Sequence, residues 1–163
     1  MSQGIISIVF SAYYITILWF GAALQGEYIL TLVTFYITLQ CGVTLAYAIG
    51  SVSPTMEAAN ALLPTYVTVG LFFIGFFITY DSMPIGWAWY SRIVHMRYAW
   101  SALMINHYEK LEIPFLDGKT VLQYYSLDDA GSAWTNVGYL LAFYIMFVFL
   151  AYLGQCKLSF VKR

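Results

Sequence analysis

SPTMEAANALLPTYVTVGLFFIGFFITYDSMPIGWAWYSRIVHMRYAWSALMINHYE, residues 53–109, is the stretch on which the reading of the whole chain turns. It opens with a proline-bearing polar joint and runs through an uncharged apolar segment to Tyr80. It then enters an aromatic segment carrying Arg92, His95 and Arg97. Residues 61–80 are long enough to cross a hydrocarbon layer of roughly 30 Å as a helix. The aromatic segment is long enough too, but a central arginine costs about 2.5–3.5 kcal/mol on insertion scales, and it has two plus a histidine. Its Trp87, Trp89, Tyr90, Tyr98, Trp100 and Tyr108 are residue types that settle at a membrane–water interface. The expectation is a span followed by a re-entrant or interfacial helix-turn.

The rest of the chain fits this membrane reading. Of its 163 residues 61% are apolar and only 9% charged, against roughly 25% charged in soluble domains. No soluble core of this size hides so much apolar surface. The expected fold class is all-α integral membrane, with about four transmembrane helices at residues 5–24, 28–49, 61–80 and 134–153. An external re-entrant helix-turn and loop would occupy residues 81–133.

The turn at Gln25, Gly26 and Glu27 is too short to hold a domain, so the second span must return antiparallel to the first. On that second span Thr31, Thr34 and Thr38 lie at spacings of three and four, on one helical face. The hydroxyls either bond back to their own helix or admit a close neighbour, or else they line a cavity or meet a second subunit; in every case they should avoid lipid. Pro54 forces a turn between spans two and three, with Ser53 or Thr55 available as the next helix cap. Pro64 is expected in the first turn or two of the third span. Thr65, Thr68, Phe72, Gly75 and Thr79 repeat at threes and fours along it.

Lys157, Lys162 and Arg163 form the one dense basic cluster, which by the positive-inside rule makes the C-terminus cytoplasmic. Counting back through four spans makes the N-terminus cytoplasmic as well. The Gln25 turn is then outside, the Pro54 joint inside and residues 81–133 outside.

Catalytic and metal chemistry find little footing. Gly118, Lys119 and Thr120 look like the end of a phosphate-binding loop, but that loop needs a glycine where Ile113 stands. His95 and His107 have no partners at metal-binding spacings. No nucleophile elbow and no glutamate–histidine pair on a span is present. Cys41 and Cys156 read as small apolar packing residues rather than a disulfide framework. No basic tract of the sort that tracks nucleic acid exists. For Arg92, His95 and Arg97 two readings stay open: heads that reach the interface or bond turn carbonyls, or a polar relay coupling the helix-turn to its neighbours.

The order SPTMEAANALLP, LFFIGFFI, MPIGWAWYSRIVHMRYAWSALMINHYE and DGKTVLQYYSLDD, followed by a terminal span and a basic tail, resembles the membrane domain of the G subfamily of ATP-binding cassette transporters, the white and pleiotropic-drug-resistance type. The resemblance covers nearly the whole chain and is most specific over residues 53–109. It implies that the four spans are the third to sixth of a six-span domain, without the first two spans and an N-terminal ATPase domain. It implies a substrate cavity face at Thr68, Leu71 and Phe72 and a hydrophobic valve at Phe76 and Phe77. The external loop of many relatives carries disulfide cysteines, and this chain has none there.

The function so implied is the membrane-spanning part of an ATP-driven exporter of lipids, sterols or amphipathic compounds. Its partners would be the bilayer, an ATPase domain that brings ATP and Mg, and a second membrane domain or half. The alternative is a non-transporting four-span structural or assembly protein.

Overall fold

The computed structural model describes residues 2–109, 111 and 119–157. Expectations that fall on Lys110, Glu112, Ile113, Asp117, Gly118, Lys162 and Arg163 lie outside them. The fold is all-α: α1 (Ser2–Gly21), α2 (Tyr28–Val52), α3 (Met56–Phe72), a 3-10 turn (Tyr80–Ser82), α4 (Ile85–Ile93), α5 (His95–Tyr108), α6 (Val121–Tyr124) and α7 (Ala133–Lys157). Two of these, Tyr28–Val52 and Ala133–Cys156, are long and apolar enough to cross a membrane by length and composition. Large apolar side chains such as Phe20, Tyr13 and Ile6 on α1 stand 81%, 70% and 65% exposed, as in a protein whose solvent is partly lipid.

The core lies where α2, α5 and α7 meet. Leu30, Ile37, Cys41 and Leu45 recur at helical spacing on α2 and pack with Ala99, Ala102 and Ile105 of α5 and with Val137, Leu140 and Phe147 of α7. Alanine at positions 99 and 102 lets the helix backbones approach closely, as small residues do in membrane bundles. The Cys41 thiol reaches the Leu140 carbonyl at 3.7 Å, and a side chain on Gly154 would collide with Ser51. Pairing 41 with 140 and 51 with 154 makes α2 and α7 run parallel, so the Pro54 joint and the end of α7 lie on one side.

The threonine stripe on α2 resolves to back-bonding. Thr31, Thr34 and Thr38 donate to the carbonyls of Glu27, Leu30 and Thr34 at 3.2, 2.8 and 2.7 Å, and Thr31 and Thr34 are buried. At the Pro54 joint the two candidate caps divide the work. Ser53 is extended and closes α2, its hydroxyl donating to the Ile49 carbonyl at 2.7 Å. Thr55 opens α3 by accepting from the Ala58 N–H at 3.2 Å.

The third span is where expectation and structure part. The helix begins early, at Met56, so Pro64 lies in its interior rather than in its first turn or two. It also stops at Phe72 rather than at Tyr80, which leaves Gly75 and Thr79 off the helical face expected to carry them. Gly75 takes φ +100°, outside the helical region, and the Tyr80 ring lies where a β-carbon would stand. At and just past the C-cap of α3, the Ser91 hydroxyl donates to Phe73 O at 3.0 Å and the Tyr80 hydroxyl donates to Ile74 O.

α4 and α5 meet at Val94, which is buried and extended. The start of α5 stands at the middle of its neighbours: the His95 ring is 5.4 Å from Phe147, well inside α7, and 6.1 Å from Tyr66 of α3. The end of α5 stands at the α1–α2 turn, through Asn106 and His107. The hairpin therefore enters the bundle to about half its depth and comes back.

Candidate transport face and the hairpin behind it

Thr68, Leu71 and Phe72 occupy the last turns of α3 and are exposed, and so are Phe76 and Phe77 in the segment that follows. Although the helix ends between them, the two sets come together. Phe72 and Phe77 have ring centroids 5.8 Å apart, and Phe76 and Phe77 are 5.0 Å apart at a near-perpendicular angle. Phe76 then leans on Trp100 at 5.3 Å, and Trp100 on Tyr125 at 6.1 Å, so the aromatic run continues onto α5 and the segment after α6. The Trp100 indole N–H is buried with no partner among the described residues, and nothing in the structure explains it.

Behind this face the three basic side chains part ways. Arg97 turns back toward α4, donating to the Ser91 hydroxyl at 2.8 Å, and its guanidinium carbon lies 3.9 Å from the centre of the Tyr80 ring. Ser91 passes the hydrogen bond on to Phe73 O, and Tyr80 reaches Ile74 O and, at 3.3 Å, the Ser101 hydroxyl. Arg97 thus braces the segment that carries Phe76 and Phe77. His95 is buried on the other side, its Nδ1 3.2 Å from the Tyr66 hydroxyl. Arg92 joins neither group: it is exposed, its carbonyl accepts from the Tyr98 hydroxyl at 2.9 Å, and among the described residues its guanidinium has no hydrogen-bond partner. The break at Val94 is the cause, since it ends one helical phase and starts another between Arg92 and Arg97.

Ser91, Tyr80 and Ser101 complete the brace and carry no sequence signal, because each is defined by a partner on another element. Replacing Arg97 with lysine should show how much the brace depends on geometry. A lysine keeps the charge but loses the planar fork that holds Ser91 while lying on Tyr80. The expected loss is about 1–2 kcal/mol, read as a lower unfolding temperature of the protein in lipid. An unshifted transition would refute the brace.

Among the described residues no three His, Cys, Asp or Glu side chains group as a metal site. Cys41 is in the core and Cys156 is exposed, and both are free.

The model of the ABC-2 type transporter family matches residues 1–108, which take in α1 to α5. The chain belongs to that family. Its curated relatives place it in the G subfamily of ATP-binding cassette transporters. It is similar to the ABC transporter ATP-binding protein/permease wht-1 of Caenorhabditis elegans, 31% identical over 51% of this chain and 12% of that protein. It is similar to the G family member STR2 of Petunia hybrida, 26% identical over 88% of this chain and 21% of that protein. G family member 8 of Dictyostelium discoideum is 27% identical over 88% of this chain and 22% of its own length. This ABC-2 membrane domain thus spans about a fifth or less of those relatives. The match includes both the exposed aromatic face and the hairpin that braces it.

Proposed function

We propose that this ABC-2 domain is the membrane-spanning part of an ATP-driven exporter of lipids, sterols or amphipathic compounds, and that the α3 face is its substrate path. The observation that carries the reading is that Thr68, Leu71, Phe72, Phe76 and Phe77 share one exposed face although a helix end lies among them. A strip of one hydroxyl and four apolar side chains suits amphipathic cargo and a second apolar surface laid against it. Thr68, Leu71 and Phe72 would line a cavity between this domain and a second membrane domain or half, and Phe76 and Phe77 would close it on the far side as a valve. Closure of partner ATPase domains, which bring the ATP and Mg, would squeeze the cavity and send cargo past the valve.

Four spans are proposed, with both termini cytoplasmic. The parallel course of α2 and α7 supports this, because it puts the Pro54 joint on the same side as the end of α7. The α4–α5 hairpin would then dip into the membrane from outside. Its position halfway along α3 and α7 supports a re-entrant element.

The test is transport by the full-length protein carrying Phe76→Ala together with Phe77→Ala. Loss of closure should lower transport per ATP hydrolysed by roughly tenfold, the equivalent of about 1.4 kcal/mol in the barrier, while the protein still folds. Unchanged transport and unchanged coupling would contradict the valve. Absence of any cargo movement by the intact protein would favour a structural or assembly role.

A further inference from the structure

We propose that the cavity between α1, α2 and the end of α5 is a second lipid site, distinct from the α3 face, and that it takes a neutral lipid with a single hydroxyl head. The proposal rests on the chain lying in a bilayer and not on what the α3 face transports. The cavity holds about 360 Å³, inside the range of roughly 300–1,000 Å³ usual for small-molecule sites.

Its lining is sorted by polarity along the helix axes. Tyr14 and Leu18 of α1 and Phe35 of α2 form the apolar part, and Tyr14 and Phe35 stack at 4.9 Å into one flat wall. Tyr14 lies two helical turns before the end of α1, about 10 Å from it. The polar members Gln25, Thr31, Asn106, His107 and Tyr108 gather at the opposite end, beside the α1–α2 turn. A lipid whose body lies along the helices therefore meets most of its hydrogen-bonding partners at the turn, the Tyr14 hydroxyl on the wall apart.

The polar end selects the head. Among the described residues none of the lining side chains is Asp, Glu, Lys or Arg, so a phosphate, carboxylate or ammonium would be desolvated against them with no counter-charge. Asn106 and Thr31 are already engaged with each other and with the Glu27 backbone. What remains at the turn is one ring N–H, one amide and the Tyr108 hydroxyl. The Gln25 N–H donates to His107 Nδ1 at 3.0 Å, closer than the Gln25 carbonyl at 3.3 Å, which in the neutral ring leaves the proton on Nε2. Among the described residues, neither that Nε2–H nor the Gln25 carboxamide has a hydrogen-bond partner. A hydroxyl, which both donates and accepts, matches the pair.

Sterols and long-chain alcohols share this chemistry, and photolabelling separates them. The full-length protein in nanodiscs would be irradiated with diazirine analogues of a sterol, a long-chain alcohol and a long-chain fatty acid, and the labelled peptides mapped. The sterol, the alcohol or both should label residues 14–25 or 103–108, and the fatty acid should not. Labelling by the sterol alone assigns the flat wall to a rigid ring system, and labelling by the alcohol alone assigns the site to a flexible chain. Leu18→Trp, which fills the cavity, should abolish these labels and spare those on α4. His107→Phe should weaken labelling roughly tenfold, as expected for one lost hydrogen bond to the ligand. If Leu18→Trp does not fold, excess unlabelled cholesterol or oleyl alcohol should compete the wild-type label away. The proposal is overturned if neither neutral probe labels the cavity, if the fatty acid labels it equally, or if labelling is insensitive to Leu18→Trp or not saturable.

Discussion

Asn106→Leu is expected to lower the stability of the domain by about 2–4 kcal/mol, the largest effect of any single polar replacement in the hairpin. The Asn106 carboxamide accepts from the Glu27 N–H at 2.9 Å and donates to the Glu27 carbonyl at 3.1 Å and to the Thr31 hydroxyl at 3.0 Å. It stands in for a backbone strand at a turn whose own geometry leaves the Glu27 N–H without a partner. Gly26 takes φ +108° at this turn, and a β-carbon there would collide with the Asn106 carbonyl, so the turn and the end of α5 are fitted as well as bonded. Leucine has the same branched skeleton, with bulkier methyl groups and no polar atom, and it would leave the Glu27 N–H without its partner. Asn106→Asp discriminates between shape and bonding, since it keeps the acceptor for Glu27 N–H but sets a carboxylate against the Glu27 carbonyl. Both variants should unfold well below the wild type in thermal scans in lipid, and a wild-type transition for Asn106→Leu would show that the turn is held by packing alone.

Gly154→Val is expected to be the most damaging change at the other end of the bundle. A β-carbon at position 154 would overlap the Ser51 hydroxyl, which is itself donating to the Ala48 carbonyl at 2.8 Å, and valine adds two methyl groups to the overlap. Overpacking of this kind costs about 1–3 kcal/mol, and here the parallel α2–α7 pair, the centre of the core, must separate to relieve it. Ser51→Gly should rescue part of the loss, because it removes the atom in the way. A coupling of about 1 kcal/mol or more in the double-mutant cycle is the expected reading. Additive effects would mean that the helices do not meet at these two residues.

The all-α membrane class was legible in the sequence because hydropathy, length and the absence of charge are local properties. The same holds for α2 and α7 and for the joint at Pro54, where a missing N–H and a fixed φ dictate the break whatever surrounds it. The end of α3 was not legible. Apolar residues continue through residues 73–78, but the helix stops at Phe72, and past it Ser91 and Tyr80 bring hydroxyls to Phe73 O and Ile74 O from elsewhere in the chain. The separate courses of the basic trio were not legible either, because the break at Val94 sends Arg97 toward Tyr80, His95 toward Tyr66, and leaves Arg92 outside. The lock at Asn106 joins residues 79 positions apart, beyond the reach of any periodicity. The set Thr68, Leu71, Phe72, Phe76 and Phe77 came from resemblance to a family and not from periodicity; all five are exposed, and Phe72 and Phe76 each lie against Phe77.

That this face meets a second membrane domain or half is the central claim, and cross-linking tests it directly. Leu71→Cys would be placed in the full-length protein with Cys156→Ser, since Cys156 is exposed while Cys41 is buried. Oxidation in native membranes should give a covalently linked pair through position 71, and Tyr152→Cys, exposed on α7, should stay unlinked. An unlinked Leu71→Cys protein beside a linked Tyr152→Cys protein would contradict the claim and move the interface to α7.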